Sequence, residues 1–543
     1  MVFARRSTTL LAAIIASCAM VLSLTACTSD NKTVVDGQTT VTSNSAGGVA
    51  VFTPSDGITL NQQTPLNKWA KLVHDLTKAL VDAGFKKGDI DHTTSDSLDK
   101  QSRAIQDFVV DHLSNNTTDD SGIAIAPDNM TLLVAPVVEA DASTRQYGDY
   151  VSQNLSTNDA TDEGATSDGE SSEDDSSKDD SSNTESDSTA SDEQAQAVDR
   201  LVSSLKLAKE SGMHVVLLGN SIEGYKPDAF VKFSDAQTIG KLQAEKMVSK
   251  LKLDKASKDN PKYIEVLLPY TAMDEKGNAN DSTFAQEAFR GIWQVLGSYY
   301  QKGVVESPSG TLDGKSTEND WQAVAYDAAK EGSTAKVLDK RLAKTDGQST
   351  LTRIDGIITM NDYIASEVVK ELDDLGYTGS AADINPQITI SGIVGNITGK
   401  KDLSRDAVPD PIKSPENDNA NDSSSSDDDA DKDTSASDKD RDSQWPLVTG
   451  YGAYVSNIPS IVNGKQWMTG MEDRQTIATD IAQACAKLNK DEALNSMPSI
   501  RNSEVGGVKK IPTISEPLLA VSASNLKSAL IDPGYISLAD AGL

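Results

Sequence analysis

The chain has very little cysteine or histidine for its length. Its three cysteines, Cys18, Cys27 and Cys485, are spread over 543 residues, and its four histidines, His74, His92, His112 and His214, share no ligand-like spacing. No metal site built from these residue types is expected. Positive charge is also short, with 50 Lys and Arg against 82 Asp and Glu and a net charge of -32. A surface of that sign repels a phosphate backbone, which argues against a nucleic-acid partner. Catalytic signatures are missing too: there is no G-x-S-x-G elbow, no Walker-type glycine loop, no H-E-x-x-H, and no G-x-G-x-x-G between a strand and a helix. Neither catalysis nor a cofactor is expected.

No apolar run reaches the roughly 20 residues of a spanning helix. The longest, over residues 9–24, follows Arg5-Arg6 and ends in Leu24-Thr25-Ala26-Cys27, a string that looks like a bacterial lipobox. Residues 1–26 are therefore expected to be a removed signal peptide, with lipid on Cys27 anchoring the chain to the outer face of the cytoplasmic membrane. With Cys18 removed and Cys27 acylated, Cys485 stands alone and no intramolecular disulfide is possible. Residues 27–47, polar and poor in apolar side chains, are expected to form a flexible tether.

Most of the negative charge lies in two segments. Residues 156–193 hold 14 acids against one lysine, and residues 404–443 hold 13 acids against five basic residues. Both are rich in Ser, Asp and Asn and nearly free of branched apolar and aromatic residues, so they cannot bury enough surface to offset the entropy of ordering. They are expected to be disordered insertions, at about 153–195 and 404–443. Neither has the D-x-[DN]-x-[DN]-G spacing of a calcium loop.

Elsewhere, short β-branched runs alternate with long amphipathic stretches, the pattern of parallel sheets covered by helices. Strands are expected at 49–52, 130–135, 213–218, 263–268, 304–305, 354–360, 388–390 and 447–449. Helices are expected at 65–83, 98–113, 195–210, 236–251, 284–300, 321–342, 363–375 and 473–488, with a closing run over 511–521. Two successive series of this kind imply an α/β fold of two lobes, and ligands in such sheets bind beyond the carboxyl ends of the strands.

Several strings resemble the periplasmic sugar-binding proteins of ABC importers, of the ribose, xylose and multiple-sugar-binding type. They are Leu66-Asn67-Lys68-Trp69, the run Phe230-Val231-Lys232-Phe233-Ser234-Asp235 leading into Gly240-Lys241-Leu242-Gln243-Ala244, Phe289-Arg290-Gly291, and the run from Ile354 through Met360 to Asn361-Asp362. The resemblance runs unevenly over residues 49–536. It implies a two-lobed type I periplasmic-binding-protein-like fold with hinge crossovers. The first lobe would be 48–234, completed by about 470–510, and the second 235–469, completed by about 511–543. It also implies a monomer that captures a carbohydrate between the lobes and delivers it to ABC permease subunits, with no chemistry performed.

A pyranose offers apolar faces to aromatic rings and hydroxyls to planar polar side chains. The candidates by position are Trp69, Asn220, Asn280, Arg290, Asn361, Asp362, Tyr451 and Trp467. Two departures stand out. Gly219-Asn220-Ser221 replaces the family's Asp-Arg, and Gly450-Tyr451-Gly452 replaces its acidic turn. These losses keep open an alternative, a sensing or accessory lipoprotein that retains the fold without sugar capture or transport.

Overall fold

The computed structural model describes residues 34–35, 38–39, 46–56, 65–115, 125–138, 142–157, 185–273, 280–328, 330–343, 351–382 and 444–543. Cys27, the expected 388–390 strand and the expected insertion 404–443 lie outside these residues. Within the unit Met1–Asn44, Val34–Val35 and Gln38–Thr39 pair antiparallel inside the stretch read as a tether. Everything below concerns the unit Ser45–Leu543. Among the described residues no helix is long and apolar enough to cross a membrane.

The first lobe is a seven-stranded sheet. Its strands are β1 (Gly48–Pro54), β2 (Ile90–Ser95), β3 (Met130–Val134), β4 (His214–Leu218), β5 (Ala229–Lys232), β11 (Ile500–Val505) and β12 (Val508–Ser515), in the order β11-β12-β5-β4-β3-β1-β2. All neighbours are parallel except the β11–β12 hairpin. Alternation along β1 sends Val49 and Val51 to one face and Ala50 and Phe52 to the other, and each face has its own core. Helix α1 (Trp69–Asp82) presents Leu72, Leu76 and Leu80 to the first face, beside Ile477, Ile481 and Cys485 of α8 (Arg474–Leu488). The second face is covered by α2 (Leu98–Asn115) and α3 (Glu185–Glu210). Burial on both faces explains why β3 and β4 read as continuous apolar runs.

The second lobe has a four-stranded parallel sheet, ordered β7-β6-β8-β9, from β6 (Lys262–Val266), β7 (Val305–Glu306), β8 (Gly356–Ile358) and β9 (Leu447–Thr449). Around it lie α4 (Ala236–Leu251), α5 (Thr283–Gln301), α6 (Ser333–Arg341) and α7 (Asp362–Leu375). Their starts follow capping chemistry: Asp235 accepts from the Thr238 amide and Asn361 from the Ile364 amide, while Gly376 at φ 96° stops α7. Helices α4 and α5 cross with their backbones nearly touching. A Cβ on Gly240 would come within 2.2 Å of the Ala288 carbonyl oxygen, and one on Gly291 within 2.0 Å of that of Gln237.

The chain passes between the lobes three times: through Phe233-Ser234-Asp235 after β5, through Glu472-Asp473 between β10 (Met468–Met471) and α8, and between β12 and β13 (Leu519–Ser522). Strands β10 and β13 pair antiparallel beside this hinge.

Three expectations are corrected. The stretch 321–342 is not one helix: Trp321–Val324 is a short turn of helix, and α6 starts afresh after Gly332, which takes φ 70°. The closing run does not complete the second lobe from residue 511 onward, because Thr513, Ile514 and Ser515 of β12 pair with β5 in the first sheet. Within the expected disordered stretch 153–195, Asn154–Leu155 pairs with Ser221–Ile222, and α3 begins at Glu185.

Candidate functional site

Residues that follow β3 and β5 meet residues that follow β8 and β9 beside the hinge, Gln146 against Asn361 and Ser234 against Tyr451, at the carboxyl strand ends where ligands bind in such sheets. The residues after β8 make a sharp turn there. Met360 takes a left-handed conformation, φ 68°, which swings Asn361 into the N-cap position of α7. The Asn361 side chain accepts from the Ile364 amide at 2.9 Å and donates to Oε1 of Gln146 at 3.1 Å. Gln146 belongs to the segment after β3, so this bond joins the lobes.

That segment, Thr144 to Gln153, lies between the two sets of strand ends. Tyr147 is 1% exposed and belongs to the core of the second lobe, its ring 4.8 Å from Phe284 and 6.3 Å from Tyr451. Three residues on, Tyr150 belongs to the core of the first lobe, 5.1 Å from Trp69 and 4.8 Å from Phe233, with its hydroxyl donating to the Lys68 carbonyl. Gly148 joins them at φ 95°, so close to Asn67 that a Cβ would lie 2.7 Å from its carbonyl oxygen. Asp149 accepts from Nζ of Lys68 at 2.8 Å and from the Trp69 amide at 3.0 Å, and the Tyr454 hydroxyl donates to the Gln146 carbonyl at 2.8 Å. The amides of Asp149, Ser152 and Gln153 donate to Asn67 O, Ser234 O and Asn220 Oδ1.

Two buried carboxyls hold the hinge. Glu472 accepts from the Ser234 amide at 2.7 Å, the Ser234 hydroxyl at 2.5 Å and the Tyr451 hydroxyl at 3.4 Å, tying two crossovers together. Asp362 accepts from Gln466 Nε2 at 2.7 Å and from the Tyr454 amide and Thr469 hydroxyl, each at 2.9 Å. Burial pushes Glu472 up to about 7 and Asp362 up to about 6, against the pull of these donors. Asp56, near the start of α1, is pushed to about 6 by burial and by Asp149 beside it.

The eight sequence candidates are therefore placed as follows. Asn361, Asp362 and Tyr451 meet at the hinge, and all three are buried and bonded within the chain. Trp69 is nearby but packed edge-on against Tyr150 and Phe233. Asn220 braces the cleft segment, accepting from Gln153 and donating to the Pro136 carbonyl at 2.9 Å. Trp467 is buried beside β9, its amide donating to Val448 O. Asn280 ties a loop of the second lobe, donating to the Thr271 carbonyl at 2.8 Å. Arg290 is partly exposed and paired with Glu287 one turn away on α5.

Sequence reasoning missed Gln146, Tyr147, Asp149, Tyr150, Ser234 as a Glu472 partner, and Glu472 itself. A signal was present: two tyrosines three apart around a glycine, directly ahead of an acidic run with no aromatic residue. Among the described residues no group of three His, Cys, Asp or Glu side chains is placed to hold a metal ion.

No family model matches the chain, and no curated protein matches it. Solved structures do. The chain is similar to an ABC transporter solute-binding protein from Clostridium phytofermentans with bound β-D-glucose, at 17% identity and TM-score 0.44, covering 91% of this chain and 99% of that one. It is also similar to a carbohydrate transporter solute-binding protein from Chloroflexus aurantiacus in complex with D-glucose, at 17% identity and TM-score 0.43, with coverage of 92% and 98%. A periplasmic ribose ABC transporter protein from Conexibacter woesei follows at 13% identity and TM-score 0.42, with coverage of 90% and 96%.

Proposed function

We propose that the chain is an extracytoplasmic solute-binding lipoprotein. It captures a sugar or related small solute between its lobes, presents it to ABC permease subunits, and is held to the outer face of the cytoplasmic membrane by lipid on Cys27. The observation that carries this reading is the threefold passage of the chain between two parallel α/β lobes whose carboxyl strand ends meet. Such a hinge lets two rigid bodies close on a ligand and release it, with no bond made or broken. The lipobox-like string and the sugar-binder-like strings in family order support it.

A second reading is favoured by a specific observation: Asn361, Asp362, Tyr451 and Asn220 already have their hydrogen-bonding groups engaged inside the chain. On that reading the protein is a sensing or accessory lipoprotein that keeps the fold without transport. A thermal-shift panel of monosaccharides, oligosaccharides, nucleosides and polyols, run on the chain after Cys27, separates the two. A ligand that binds only the folded state raises the midpoint, so micromolar affinity registers at millimolar concentration. A cooperative melt with no shift across the panel favours the second reading.

A further inference from the structure

We infer that the segment Gln146-Tyr147-Gly148-Asp149-Tyr150 is a built-in occupant of the interlobe cleft that a solute must displace. The inference rests on the solute-capture reading for its binding consequence. It rests on geometry alone for the closure of the cleft.

The geometry is that of a bridge. The two tyrosines point opposite ways, one into each lobe's core, across a glycine whose left-handed backbone and absent side chain let the chain press on Asn67. Polar atoms at the cleft are met by the segment itself: Asn361 Nδ2 by Gln146 Oε1, Tyr454 OH by the Gln146 carbonyl, and the Trp69 amide by Asp149. An aromatic face and a neutral amide seated between the lobes present the same types of contact that a neutral polyhydroxylated ring would make there. The links are unequal. Tyr150 and Asp149 anchor the segment to the first lobe through the Lys68 carbonyl, the Lys68 ammonium and the Trp69 amide. The hold on the second lobe includes the Tyr147 ring and the Val151 side chain in the same core, the Asn361–Gln146 bond and the Tyr454–Gln146 bond. Opening therefore breaks the second-lobe side, and the segment leaves with the first lobe. A site that is competent only when this side is free binds with an apparent affinity reduced by the fraction of molecules that are open.

The test compares wild type with Gln146→Ala/Tyr454→Phe, which removes both polar links without a core cavity, and with Tyr147→Ala. Each is made in the chain after Cys27. Interlobe distances come from paired spin labels on α2 and α7, and affinities from calorimetry with the saccharides of the panel. The expected result is a longer, broader distance distribution in both variants and about tenfold tighter binding in the double variant. Should wild type and the double variant bind equally, with unchanged distances, the occupant idea is overturned while solute capture stands. Longer distances with no binding by any form support the occupant and overturn solute capture. Unchanged distances in variants that still melt cooperatively, with no binding, overturn both. If Tyr147→Ala fails to fold, the double variant decides.

Discussion

Asn361 serves as a helix cap through its oxygen and as a bridge between the lobes through its nitrogen. Two replacements separate these jobs. Asn361→Ala loses both and is expected to cost about 1–2 kcal/mol in urea unfolding. Asn361→Asp keeps an acceptor for the Ile364 amide and loses the donor to Gln146, so it should fall between alanine and wild type. Glu472 offers a cleaner test because its bonds from Ser234 and Tyr451 all go to one oxygen, which glutamine reproduces. A carboxyl that ionises at 4.5 when unfolded and at about 7 when folded makes stability fall as pH rises through that window. Below it the carboxyl is neutral in both states. Above it the full cost, on the order of 3 kcal/mol, is present. Glu472→Gln should therefore match wild type near pH 4.5 and exceed it near pH 8, and urea unfolding at the two pH values checks this. Asp362, raised from 3.8 to about 6, acts in the same direction over a lower window.

At the scale of elements, the strings that carried the resemblance have a packing meaning. Gly240 and Gly291 are the two points where α4 and α5 come into backbone contact, and neither position has room for a methyl group. Gly291→Ala is expected to destabilise the second lobe by about 3 kcal/mol, read as a lower urea midpoint at unchanged slope. A result within a few tenths of wild type would show that the helices can separate freely. Elements with strong periodicity and caps were legible in the sequence: α1, α4, α7 and α8 lie within a few residues of their expected bounds. Others carried no local signal. Strand β2, Ile-Asp-His-Thr-Thr-Ser, is an edge strand with four exposed positions, and β10, Met-Thr-Gly-Met, has no β-branched run. The site was legible by position and illegible by role. The pattern puts Asn361 after a buried strand, yet nothing local reveals that Gln146, 215 residues earlier, takes up its amide.

For the whole molecule, the ordering of strands depends on long-range pairing that local pattern does not encode. That is why residues 511–515 return to the first sheet, against the simpler expectation of a chain that finishes in its second lobe. The same long-range closure brings a segment from the first half of the chain between the strand ends of both lobes. Closure of the cleft depends most on that segment being seated. Hydrogen exchange of the unliganded chain reports its seating on the first lobe directly, because the amides of Asp149, Ser152 and Gln153 donate to Asn67, Ser234 and Asn220. Slowing on the order of a hundredfold or more relative to unstructured peptide is predicted, and it is kept in Gln146→Ala/Tyr454→Phe, where the segment stays on the first lobe. Exchange of these three amides at the rate of unstructured peptide in the wild-type chain would contradict it and leave an open cleft in its place.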